Sequence, residues 1–429
     1  MPLEDWMAAI IDYRGKTPEK TSSGIPLITA KIVKGGRIKD TEEFIAEDAY
    51  EQWMRRGIPE PGDVVLTTEA PLGEVAQLDG RKVALAQRII TLRGKPGLLD
   101  NTYLKFALQS QPIQEQLQGR ASGSTVTGIK QSELRKLRLT FPSLKEQQRV
   151  AGILGSLDDK IAVNRRINQT LEAMAQAIFK SWFVDFDPVK AKIAAKAEGR
   201  DPLRAAMTAI SGKPEAELDT LAPDQFAPLA ATAALFPDAM EDSELGEIPK
   251  GWRSGRLDDL LVLQRGFDLP NQDRTPGKFR VIAASGPLGS HHEAAARGPG
   301  VVTGRSGVLG RVFLSLDDYW PLNTTLWVKE FRAATPCYAF ELLKGIDFSA
   351  FNSGSAVPTL NRNHVHGLPC LVPKADIMSR YEDLALDVQK LIFQTARESD
   401  TLMTLRDTLL PRLLSGELQV QHTELEVTA

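Results

Sequence analysis

The sequence predicts an α+β chain: two pseudo-twofold-related α/β modules separated by two long antiparallel coiled-coil helices. Three observations predict it. Short motifs recur in one order in both halves, two long stretches carry heptads in a common register, and the segments between them are strand-like runs broken by Gly, Pro, Asn and Asp. At 429 residues the chain exceeds one ordinary domain.

The recurrences are pairs. Arg14-Gly15 returns as Arg265-Gly266, Pro61-Gly62 with Val64-Val65 as Pro299-Gly300 with Val301-Val302, and Leu72-Gly73 as Leu309-Gly310. Gly123-Ser124 before Val126 returns as Gly354-Ser355 before Val357, and an apolar run ending in proline follows each copy. Each pair alone is weak; their shared order marks a duplication.

The long helices carry the cleanest match. Val150, Leu154, Leu157, Ile161, Asn164, Asn168, Leu171, Ala175, Ile178 and Trp182 alternate spacings of four and three, a heptad seam. Val388, Leu391, Thr395, Glu398, Leu402, Leu405 and Leu409 repeat that register 234 residues on from Leu154 to Ala175. At 1.5 Å per residue such stripes run roughly 45–60 Å, longer than a small domain is wide, so the helices are expected to pair with each other. Running antiparallel, their polar centres, Asn164/Asn168 and Thr395/Glu398, would meet. Pro411 should kink or end the second helix.

The expected divisions are a first module at 1–142, a first helix at 143–183, an acidic Ala/Pro-rich connector at 184–247, a second module at 248–374, a second helix at 375–418 and a tail at 419–429. Predicted strands are 24–29, 62–67, 88–92, 279–285, 311–316 and 324–330, with helices at Thr102–Leu117 and Pro336–Lys344. The connector reads as partly helical and partly flexible.

Net charge is −3, but it is unevenly distributed. The modules carry +2 and +5 and the first helix +2, whereas the connector carries −7 and the last 55 residues −5. Mildly basic modules permit nucleic-acid binding without requiring it. No apolar run is long enough for a transmembrane helix, the N-terminus lacks a signal-peptide pattern, and two isolated cysteines suggest a reducing compartment; a cytoplasmic chain is expected.

Catalytic motifs are absent. There is no P-loop, no Asp/Asn-Pro-Pro-aromatic motif for adenine methylation and no GxGxxG fingerprint; GRSGVLG at 304–310 has the wrong spacing. His364/His366 and His291-His292 lack a carboxylate or cysteine set that would make a metal site. Asp185 and Asp187 sit at a helix exit, where capping or solvation explains them. The chain is therefore expected to be no enzyme and to hold no metal.

Several segments carry a family likeness: GIPLITAKIVKGGRI (24–38), the Gly-Ser loop with P-x-L-x-E-Q-Q (142–148), AIFKSWFVDFDPV (177–189), ELGEIPKGW (244–252) and, most specific, LRDTLLPRLLSGEL (405–418). With these the chain resembles the specificity (S) subunit of type I restriction-modification systems, departing from it in its long connector. The resemblance implies two target-recognition domains, each reading half of a bipartite asymmetric double-stranded DNA target. It implies helices that set the spacing and dock two modification (methyltransferase) subunits, with restriction (translocase/nuclease) subunits in the same complex and no membrane. S-adenosylmethionine, ATP and Mg would then belong to those partner subunits and none to this chain. A non-catalytic protein scaffold with coiled-coil docking is the alternative; a nuclease or methyltransferase in its own right is a third reading.

Base-reading residues vary in that family, so candidates follow from chemistry: Arg and Lys suit guanine edges and phosphates, Asn suits adenine, Ser and Thr suit either. In the first module they are Lys31, Lys34, Arg37, Thr67, Thr68, Arg88, Ser124, Thr125 and Lys130. In the second they are Arg265, Arg305, Ser306, Asn323, Thr324, Ser355, Asn361 and Arg362. The helix seam is expected at Leu154, Leu157, Ile161, Leu171, Val388, Leu391, Leu402 and Leu405.

Overall fold

The computed structural model describes residues 1–13, 15, 17–123, 127–351 and 359–418. Ser124, Thr125, Ser355 and the 419–429 tail lie outside the described residues, as do Val126, Gly354 and Val357 of the Gly-Ser repeat and Arg14. By internal contacts the chain forms two units, Met1–Arg165 with Arg397–Ala429, and Arg166–Ala396.

In the first unit four antiparallel strands form the main sheet: β1 (Met7–Asp12), β2 (Val64–Thr68), β3 (Leu72–Gln77) and β4 (Ile89–Gly94), in the order β1-β4-β2-β3. β2 is buried along its whole length in mid-sheet, its apolar Val64-Val65-Leu66 followed by the buried threonines Thr67 and Thr68. One face packs on Leu104, Phe106 and Leu108 of helix Asn101–Gln109, and the same core takes Val150, Ala151 and Leu154 from the first long helix. The expected helix Thr102–Leu117 is two helices, broken at Ser110, because Pro112 opens a new first turn at Gln111.

The second unit repeats this sheet. Strands β5 (Leu261–Arg265), β6 (Gly300–Gly304), β7 (Val312–Ser315) and β8 (Thr325–Phe331) run antiparallel in the order β5-β8-β6-β7. Helix Pro336–Lys344 corresponds to Asn101–Gln109, and its Tyr338, Ala339 and Leu343 share a core with Phe179, Trp182 and Phe183 of the first long helix. Aromatic rings dominate that core: Phe183 meets both Tyr338 and Tyr381 edge-on at 4.9 and 5.2 Å.

The long helices run Leu144–Phe183 and Ala375–Leu414. Pairing contacts descend along one as they rise along the other, so they are antiparallel: Asp158 with Arg406 (2.7 Å) and Asn164 with Glu398 (2.9 Å) in the first unit, Asn168 with the Ile392 carbonyl (3.2 Å) in the second. Asn164 and Glu398 are repeat counterparts, so each helix meets its own copy at this point. The second helix continues three residues beyond Pro411, which is exposed, before ending at Leu414.

The seam on the first helix follows the expected positions: Leu154 and Ile161 are buried, Leu157 and Leu171 half-buried. On the second helix it needs correction. Val388 and Leu402 are half-buried at the expected places, but Leu391 and Leu405 are 46% and 45% exposed. The inward positions are Ile392, Thr395, Ser399 and Arg406. An apolar template overlooks Ser399 and Arg406 because they are polar; Arg406 lies inward because Asp158 opposite accepts its Nη1.

The connector is more ordered than expected. Helices Asp187–Ala197, Pro202–Ser211, Glu215–Leu218 and Pro223–Leu235 enclose Ala206, Met207, Leu218 and Ala233. Its acidic residues are largely matched: Arg204 binds both Glu215 (3.2 Å) and Asp219 (2.9 Å), and Asp201 caps Pro202–Ser211 by accepting from the Leu203 and Arg204 amides.

Candidate nucleic-acid interface

In the second module, four expected residues line one recess. Arg265 ends β5, Arg305 follows β6, and Asn361 and Arg362 open the short helix Arg362–His366; with Leu326, Thr359 and Leu360 they enclose about 360 Å³. Backbone bonds bring these segments together. The Arg305 and Ser306 amides both donate to the Thr324 carbonyl (2.8 and 3.0 Å), and the Leu360 amide donates to the Arg305 carbonyl (2.9 Å). Thus Ser306, Asn323 and Thr324 join the same corner. Thr324 Oγ1 also accepts from the Ala284 amide at 3.3 Å.

Two glycines permit this close approach. A Cβ on Gly266 would stand 2.2 Å from the Leu322 carbonyl oxygen, and one on Gly304 would stand 1.9 Å from that of Val308. The Arg-Gly and Gly-Arg pairs therefore couple a backbone too close for any side chain with a neighbouring cation.

Sequence reasoning missed Asp268. It lies three residues after Arg265, whose Nη2 is 3.4 Å from both its carboxylate oxygens, and its Oδ1 accepts the Asn323 side-chain amide. The signal was present in the order Arg265-Gly266-Phe267-Asp268, which puts opposite charges three residues apart at the end of β5.

The first module has the same corner with other side chains. The Ile129 amide donates to the Thr68 carbonyl (2.9 Å) as Leu360 does to Arg305, and Gly128 bridges Glu69 as Thr359 bridges Ser306. Thr68, Glu69, Lys130 and Gln131 therefore stand where the second module has Arg305, Ser306, Asn361 and Arg362. Thr67 and Thr68 must be withdrawn as surface contacts: they are 0% and 1% exposed, because β2 is buried on both faces, and Thr67 Oγ1 accepts from the Glu74 amide. Lys130 is exposed at the start of Gln131–Arg135.

The other candidates of the first module divide. Lys31 and Arg88 line one recess of about 230 Å³ with Thr17, Lys20 and Gln87, and Arg88 pairs with Glu69 at 2.9 Å. Lys34 and Arg37 lie apart, on a hairpin turned by Gly35 and Gly36 with φ of +62° and +83°.

The histidines have structural work. His366 Nε2 accepts the Leu263 amide at 2.8 Å, and burial lowers its pKa below the usual 6.5. His291, His292 and Glu293 hold ligand-type atoms within 4.8 Å of one another. His291 Nδ1 accepts the Thr275 amide at 3.2 Å, so that nitrogen is engaged by the backbone. Buried Cys337 and Cys370 are unpaired, and burial pushes both thiols up, Cys370 to about 11. Among the described residues no helix is long and apolar enough to cross a membrane.

A duplicated α+β sheet with a polar, side-chain-variable corner in each copy, joined to a long antiparallel helix pair, defines a two-module recognition protein. Comparison with known proteins makes the class specific. Residues 12–173 match the family model described as the type I restriction modification DNA specificity domain. The chain is 31% identical over 326 residues to the type I restriction enzyme HindI specificity subunit of Haemophilus influenzae, covering 66% of this chain and 69% of that one. It is 23% identical to the MjaIX specificity subunit of Methanocaldococcus jannaschii, covering 95% and 90%. The crystal structure of a type I S subunit from M. genitalium has the same fold, with TM-score 0.54 and 16% identity over 98% of this chain and 96% of that one. This chain belongs to the family of type I restriction enzyme specificity subunits.

Proposed function

We propose that this chain is the non-catalytic DNA-reading subunit of a type I restriction-modification complex. Each module reads one half of a bipartite asymmetric target, and the long helices set the distance between halves and dock the modification subunits. S-adenosylmethionine, ATP and Mg act on partner subunits. The observation that carries this reading is the repeated corner: one sheet order and one set of backbone bonds, furnished with Ser306, Asn361 and Arg362 in one copy and Glu69, Lys130 and Gln131 in the other. A constant scaffold with variable polar side chains suits direct readout of base edges, whereas phosphate contacts need only cations.

The test is selection from a random duplex pool by the chain together with its methyltransferase partner. Enrichment of a motif in two separated halves is expected. Binding should weaken steeply between about 50 and 200 mM salt, as counterion release requires. A pool with no split motif, or binding indifferent to salt, would favour a protein-only scaffold.

A further inference from the structure

We infer that Arg265 and Asp268 act together to read one G·C base pair in the half of the target assigned to the second module. This rests on the reading of the chain as a DNA specificity subunit and gives that site a ligand chemistry.

The corner is not furnished for phosphate alone. Arg265, Arg305 and Arg362 would suffice for that, yet Asp268 pairs with Arg265 at the edge of their recess, its side chain 67% exposed. An exposed carboxylate repels a phosphate and makes a poor neighbour for a backbone-tracking arginine. A G·C pair presents the complementary set in the major groove: guanine offers O6 and N7 as acceptors, cytosine offers its N4 amino group as donor. Arg265 supplies the donors and Asp268 the acceptor.

The remaining valences allow it. Arg265 has five N–H groups, and its contact to Asp268 is made through Nη2 alone, which leaves Nη1 with the second Nη2 hydrogen as a fork for guanine. Asp268 accepts from Arg265 and from the Asn323 amide and keeps lone pairs free. The geometry is held in advance. The Gly266 amide donates to the Thr325 carbonyl at 3.1 Å and the Phe267 amide to that of Pro321 at 2.8 Å, so the two residues that link Arg265 to Asp268 are anchored to β8 and its approach. Such anchoring reduces the cost of ordering the side chains on binding. In the first module the repeat puts Thr17 where Asp268 stands, so the same reading is not expected there.

The experiment maps modified adenines in DNA from cells that co-express the chain with its methyltransferase partner. Exchanging residues 248–374 for the second module of a relative with another target identifies which half this module reads. Then Asp268→Ala, Arg265→Ala and Arg265→Lys are compared with the parent. The expected result is relaxation at one G·C position of that half, with discrimination there falling on the order of 10- to 100-fold. The other half of the motif should be kept, which also shows that the variants fold. Arg265→Lys should relax the position less than Arg265→Ala, because a lysine keeps the charge and can donate to guanine but cannot present the planar fork. A uniform loss of methylation with an unchanged motif would identify a phosphate contact and overturn the inference. So would a second half without a G·C pair, or variants indistinguishable from the parent. A parent complex that yields no split motif overturns the proposed function itself, and the two failures are thereby distinguished.

Discussion

The two modules share a sheet but not a means of holding it. In the first, the end of β2 is secured by charge: Asp63, 1% exposed, takes Arg93 Nε and Nη2 at 2.8 Å each, and Glu60 takes Nη1 at 2.6 Å. Those hydrogen bonds raise the Arg93 pKa. In the second, the position before β6's paired valines is Gly300, and Tyr319 fills the space any side chain would need: a Cβ there would stand 2.3 Å from its hydroxyl oxygen. One copy uses a bidentate ion pair and the other a glycine-aromatic contact. The lesson is that duplicated backbones conserve strand order while local support diverges, which frees the nearby polar corners to differ.

That contrast can be broken experimentally. The largest effect is expected from Asp63→Ala, which leaves a partly buried guanidinium without its carboxylate; the first module should lose about 3–5 kcal/mol in denaturant unfolding. A variant as stable as the parent would mean that Arg93 finds equivalent partners in Glu60 and solvent.

Leu154→Ala should cost about 2–5 kcal/mol, because the residue is fully buried in the first module's core. Leu405→Ala, at a position 45% exposed, should change stability by under about 0.5 kcal/mol. Equal losses would restore the apolar register first expected for the second helix.

Gly266→Ala should cost about 1–3 kcal/mol, since its Cβ meets the Leu322 carbonyl. Gly15, its repeat counterpart, has open space and a φ of +105°, so alanine there should cost only about 1 kcal/mol of backbone strain. Thermal unfolding of both variants compares the two Arg-Gly pairs directly.

The smallest effect is a pH dependence. His366 accepts an amide hydrogen, so the folded state favours its neutral form and lowers its pKa from 6.5. The unfolded chain binds more protons between the two values, so stability is full above about pH 6.5 and declines as pH falls toward the folded value. Arg135 occupies the matching place in the first module, so this histidine-linked acid sensitivity belongs to the second. His366→Gln, which keeps an acceptor that does not titrate, should flatten the decline; an unchanged slope would move its origin elsewhere.

The sites divide along a physical line. Arg265, Arg305, Asn361 and Arg362, chosen from residue type as candidate DNA contacts, were legible as solvent-facing polar residues, and they share one recess. Thr67 and Thr68 were not, because a polar residue in a mid-sheet strand reads in sequence like one at a strand end. Asp268 escaped notice because its relevance lies in the distances to Arg265 and Asn323, the latter 55 residues away.

The sequence by itself determined the duplication, the fold class, the antiparallel helix pair and the meeting of its polar centres. These are periodic or repeated features, and periodicity is a property of the chain read in one dimension. Tertiary structure alone decided which heptad phase faces inward on the second helix, that Arg406 and Ser399 occupy seam positions, and that the acidic connector folds into paired helices. It also decided which polar residues at each corner reach solvent. The reason is the same in each case. A charged or hydroxyl side chain is buried or exposed according to the partner opposite it, and that partner is supplied by a distant part of the chain.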